Sequence, residues 1–179
     1  MRLRTLNVVI LIAVAAIAFS ACQEPAEPPP PQPVESAADK AAKVAEANKA
    51  LFMRFMDEVG NQGQTDKIGE IVSTDFVEHQ ELPPDVPPGV EGLTQFFTGI
   101  RQAFPDLTIT VDVILASDDL VAGRSTWTGT QATEWMGMQP SGSPVAFEAI
   151  DVVRFKDGKA VEHWGLDNSA EMMMRAAAK

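Results

Sequence analysis

Apolar residues recur along this chain with two periods, and the switch between them divides the fold. Val44, Leu51, Phe52, Phe55 and Val59 keep helical spacing, with Gly60 as a stop. The turn NQGQ follows, and Thr65 is placed to cap a second short helix running to about Val72. STDFVEHQ then reads as a short extended segment. ELPPDVPPG is a rigid loop, because closely spaced prolines exclude both helix and inner strand. Leu93, Phe96, Phe97, Ile100 and Phe104 mark a third amphipathic helix, halted by Pro105.

From Leu107 the period becomes two. Leu107, Ile109, Val111, Val113 and Leu115 alternate with mostly polar neighbours, the mark of a half-buried strand. SDD turns the chain into a second strand, about Leu120–Ala132. A loop through EWMGMQPSGSP leads to a third strand, Val145–Lys156. KDGK predicts a hairpin, since Asp-Gly suits the positive φ angles of a two-residue connection. The fourth strand is Ala160–Leu166, and NSAEMMMRAAA closes as a helix. Helices first and an antiparallel meander after them make the class α+β.

The N-terminal region has a different character. Arg2 and Arg4 precede the apolar run VVILIAVAAIAF, too short to span a bilayer comfortably, and FSAC ends it. The arrangement reads as a signal peptide over residues 1–21 with a lipobox, Phe19 departing from the usual Leu. Cys22, the one cysteine of the chain, is then the lipidated first residue of the mature protein. Gln23 stands where inner-membrane retention would call for Asp, so the expected address is the cell envelope, on the periplasmic side of an outer membrane. Residues 22–40 form a proline-rich tether, and 41–179 form one domain. Loss of the two arginines takes the net charge from −11 to −13, which repels nucleic acid and anionic lipid headgroups. Nucleic-acid binding is excluded on this ground.

The order of elements, with RFMDEVGNQG, DFVEH, EGLTQFF, IRQAFPDL, GTQATEWMGMQPSGSPV, VVRFKDGK and EHWGLDN in sequence, resembles the SnoaL-like polyketide cyclases. That resemblance implies the cone-shaped nuclear transport factor 2-like fold, a bent sheet wrapped over helices around a pocket. It also implies cofactor-free acid–base chemistry on a small, largely apolar carbonyl compound. In the cyclases an aspartate after the last long strand takes a proton beside a carbonyl and returns one to the new alkoxide. Asp167 matches that position, and capping of the final helix is its other reading.

Asp151 interrupts the apolar row Val145, Phe147, Ala149, Val153 and Phe155. A carboxylate there is costly unless it is paired or faces a cavity. The cyclases carry a histidine about here, and a structural pair with Arg124 or Arg154 is the alternative. His79, at the end of DFVEH, completes the catalytic candidates. Trp164, Gln131, Phe147 and Glu78 are the candidates for ligand contact, Gln131 standing where the family usually has a histidine. His163 and Trp164 are consecutive in a strand and point to opposite sides. Trp164 is assigned to the pocket and His163 to the convex face or a dimer interface. His79, Glu78 and His163 match no common metal spacing, so no metal is expected.

Ketosteroid isomerase chemistry needs a tyrosine in its oxyanion hole, and this chain has none. Two readings stay open: a membrane-tethered acid–base enzyme, or a ligand-binding lipoprotein without turnover. In both, the partners expected are a small molecule, the membrane through the lipid, and a second copy of the chain.

Overall fold

The computed structural model describes residues 35–80 and 86–178. The expected signal peptide, Cys22 and most of the expected tether lie outside the described residues. The first helix, α1 (Ala37–Arg54), begins inside the expected tether. The Ser36 hydroxyl accepts from the Asp39 backbone, and the Asp39 carboxylate accepts from the Ser36 backbone, a reciprocal cap that stops fraying. Ala45, Asn48 and Phe52 form its buried face. α1 continues without a break into a π-helical stretch, Phe55–Asn61, which buries Met56 and Val59. Thr65 does not cap the next helix with its side chain. It opens a 3-10 turn (Thr65–Lys67) that leads into α2 (Ile68–Ile71).

The remaining elements are β1 (Val72–Glu78), α3 (Gly89–Ala103), β2 (Thr108–Ser117), β3 (Leu120–Thr130), β4 (Pro144–Lys156), β5 (Lys159–Asp167) and α4 (Ser169–Ala177). β2 to β5 form the antiparallel meander that the alternation predicts. β1 adds a fifth strand, parallel to β5, so the sheet is mixed and ordered β1-β5-β4-β3-β2. Asp157 and Gly158 both take positive φ in the β4–β5 turn, as a tight hairpin requires.

Bulges on β5 and β2 fix which of their residues face the helices. On β5, Ala160 pairs with Phe155 but Glu162 pairs with Arg154, so Val161 is an extra residue. The phase of β5 therefore changes by one beyond Ala160. On β2, Asp112 is the extra residue between Val111 and Val113. The concave face carries Val121, Ser125 and Trp127 from β3, Val145, Phe147 and Ala149 from β4, and Ile109 from β2. These meet Phe52, Met56, Val59, Phe97, Ile100 and Phe104 from the helices.

Candidate functional site

Between the helices and the concave face lies a cavity of about 860 Å³, within the size range of small-molecule sites. Its wall is aromatic over much of its extent, including Trp127, Phe147, Phe96, Phe97 and Trp135. Trp127 stacks on Phe147 at 5.6 Å, and Phe96 meets Trp135 edge-on at 5.5 Å. Among the described residues, four ionisable side chains interrupt this wall: Glu78, Asp151, His163 and Asp167.

Three of them form a chain. His163 Nδ1 lies 2.7 and 2.8 Å from the two Glu78 oxygens, and Nε2 lies 3.0 Å from Asp151 Oδ1. Glu78 reaches His163 because the parallel β1–β5 ladder sets the two residues opposite one another. Its Oε1 also accepts from the Gln80 backbone at 2.9 Å. The side chains of Glu78, Asp151 and His163 are only 8, 13 and 17 % exposed. Burial pushes the His163 pKa down, but the hydrogen bonds to Asp151 and Glu78 and their charges outweigh it. The pKa rises to about 9, and the ring is an imidazolium at neutral pH.

Asp151 stands opposite Gly165 on β5 and Gly123 on β3. Its Oδ2 is buried with no hydrogen-bond partner, the one such side-chain oxygen or nitrogen among the described residues. Asp167 differs. Its residue is exposed, Oδ1 accepts from the Ser169 backbone at 2.8 Å, and Oδ2 accepts from Gln80 Nε2 at 3.3 Å. It thus caps the start of α4 while bordering the cavity. Asn168, one residue nearer the helix, spends its side-chain oxygen on the Glu148 backbone instead.

The placement of Trp164 and His163 is the reverse of the sequence expectation. His163 faces the cavity, and Trp164 lies on the opposite face, because the Val161 bulge shifts the strand by one residue. His79 is also outside. Its ring lies parallel to Trp164 at 4.5 Å, and its Nε2 meets Glu162 at 3.0 Å. Gln131 is buried but does not line the cavity. Its amide donates to the carbonyls of Thr133 and Met138, fixing the loop that carries Trp135. Phe147, Glu78, Asp151 and Asp167 do line the cavity. Asp151 pairs with neither arginine: Arg124 holds Asp112 and Glu148, and Arg154 holds Asp119 and Glu162. Sequence reasoning missed His163, Gln80, Trp127 and Trp135.

The profile of the SnoaL-like polyketide cyclase family matches residues 50–175. AclR from Streptomyces galilaeus, assigned as a hydroxylase, is 32 % identical with a TM-score of 0.63, covering 75 % of this chain and 98 % of its own. IdmH from Streptomyces antibioticus, assigned as a polyketide cyclase, is 29 % identical with a TM-score of 0.62, covering 74 % and 99 %. A SnoaL-like protein of Jannaschia sp. CCS1 shares the fold at 23 % identity, with a TM-score of 0.67 and coverage of 76 % and 95 %. No curated protein matches the chain closely enough to count as a relative. With its cone of helices against a curved, unclosed mixed sheet and a cavity between them, the chain belongs to the SnoaL-like polyketide cyclase family.

Proposed function

We propose that this is a membrane-tethered, cofactor-free acid–base enzyme acting on a small apolar carbonyl compound. The observation that carries the reading is Asp151, a residue of the cavity wall whose Oδ2 is buried without a partner while Oδ1 rests on the imidazolium of His163. A carboxylate held in one orientation, with one oxygen free, is a positioned base.

Asp151 takes a proton from the carbon beside a substrate carbonyl, leaving an enolate. The enolate carbon bonds to a second carbonyl carbon, whose oxygen becomes an alkoxide. The protonated Asp151 returns its proton there and is ionised again. His163 holds Asp151 in place and supplies positive charge beside the developing oxyanion, and Glu78 fixes the ring from behind. With one carbonyl group and a neighbouring double bond no carbon–carbon bond forms, and Asp151 returns the proton to a different carbon of the dienolate, an isomerisation.

Deuterium exchange into the methyl group of acetonaphthone in heavy water, followed by proton NMR, tests the base directly. The wild type should exchange the methyl protons faster than buffer, and Asp151→Asn should slow that by roughly 10²–10⁴-fold. A wild-type rate equal to buffer would end the catalytic reading.

The second reading is a ligand-binding lipoprotein without turnover. It is favoured by Asp167, the family's catalytic position, whose two oxygens are both engaged. Under either reading the protein is anchored through Cys22 to the periplasmic side of the outer membrane and works as a homodimer.

A further inference from the structure

We infer that the ligand of this cavity joins an apolar body to a protonated amine, an inference that rests on the cavity being the ligand site proposed above. Both ring nitrogens of His163 face carboxylate oxygens, so both must donate, and the ring carries one positive charge. Glu78 and Asp151 flank it with two negative charges, leaving the chain one negative charge in excess. Asp167 adds a second, because its partners are a backbone N–H and a neutral amide. Among the described lining residues there is no lysine or arginine to balance them. Arg124 and Arg154 are committed to other acids on the opposite face of the sheet.

The two uncompensated acids are placed to share one cation. Asp151 is opposite Gly165, and Asp167 lies two residues further along β5 on the same face. Such diagonal neighbours are about 7–8 Å apart, close enough for one ammonium to approach both. Gly165 itself brings no side chain, and the Gln80 carboxamide lies over it, bonded through Nε2 to Asp167 Oδ2, with its oxygen as a neutral acceptor for the same cation. Asp151 Oδ2, buried and unpartnered, lacks the charged donor that an ammonium would supply. Trp127, Phe147 and Phe97 give the rest of the ligand an aromatic wall, whose ring faces also favour a cation. A carboxylate or phosphate would meet net negative charge and no cation but the already shared imidazolium.

Isothermal titration of the full chain in detergent with naphthylmethylamine, acetonaphthone and naphthylacetate at neutral pH tests this. The ring system is constant and only the head changes. The expected order of affinity is amine, then ketone, then carboxylate. Asp151→Asn and Asp167→Asn should each weaken the amine roughly tenfold or more, with ketone affinity falling far less as the control for an intact pocket. Ketone or carboxylate binding as tightly as the amine would overturn the charge inference alone. Equal loss of amine and ketone in the Asn variants would overturn it as well. If none of the three binds, the ligand-site reading falls with it. Exchange activity is a separate readout, so an inactive protein that prefers the amine sinks only the catalytic proposal.

Discussion

His163 Nε2 lies 3.0 Å from Asp151 Oδ1 across the β4–β5 ladder, while Glu78 holds the other ring nitrogen. The ring is therefore more basic in the folded protein than in the unfolded chain, about 9 against 6.5. A raised pKa means that the native state keeps a proton that the unfolded state gives up. The stabilisation is complete below pH 6.5 and is lost as the pH rises towards about 9. Stability in urea should fall over that window by up to about 3 kcal/mol. His163→Gln should flatten this dependence, and an equal slope in the variant would assign it to another group.

Packing beside Asp151 gives a second test. A Cβ on Gly123 would stand 2.5 Å from Cζ and 2.7 Å from Cε1 of Phe52, a buried ring held by the core. Gly123→Ala should cost about 1–3 kcal/mol. Gly69, in α2, has nothing within 4 Å of such an atom, so Gly69→Ala should be neutral or stabilising by about 0.5–1 kcal/mol. Thermal melts of the two variants should move apart.

The meander and the amphipathic helices were legible because each has a local period. Glu78 beside His163 was not, since a parallel pair between β1 and β5 joins segments about 85 residues apart and leaves no local signature. The inversion of Trp164 and His163 has a sharper cause. Counting by twos from the buried Ala160 puts Trp164 inward, and one extra residue at Val161 reverses every later position. The bulge has no glycine or proline to announce it. Asp167 nevertheless held the clue, because by period two it shares a face with His163 and never with Trp164. The Ser36–Asp39 cap was also in plain view, hidden by its place at the end of a proline-rich run.

Lipidation is tested at Cys22. The basic start, short apolar core and FSAC end together predict that Cys22→Ser leaves unprocessed precursor and abolishes labelling by radioactive palmitate. Undiminished labelling of the variant would place any lipid elsewhere.

The homodimer proposal rests on the convex face. Leu115, Ala122, Val152 and Trp164 pair in one row across four strands, beside Val113, Arg124, Ile150 and Leu166. Leu115 is 67 % and Leu166 74 % exposed, so two adjoining rows offer water a largely apolar surface. Light scattering of residues 35–179 should give a dimer mass at micromolar concentration, and Ile150→Glu with Leu166→Glu should give a monomer. A wild-type monomer rejects the proposal.

Asp167 decides between two assignments of the base. Its Oδ1 accepts from Ser169 at the start of α4, so Asp167→Ala should cost about 1 kcal/mol as a lost cap. Asp167→Asn keeps a side-chain oxygen for that bond and should melt close to the wild type. The same variant removes the carboxylate that the family resemblance singles out. If Asp151 is the base, exchange of the acetonaphthone methyl protons should fall less than about tenfold in Asp167→Asn, against roughly 10²–10⁴-fold in Asp151→Asn. The difference follows from the hydrogen bonds: Asp167 has both oxygens engaged in an exposed position, and Asp151 has one oxygen buried and free. The opposite order, with Asp167→Asn the inactive variant, returns the base to the end of β5. Asp151 would then serve to hold His163, and Asp151→Asn should lower the His163 pKa without abolishing exchange, which NMR titration of the imidazole would read directly.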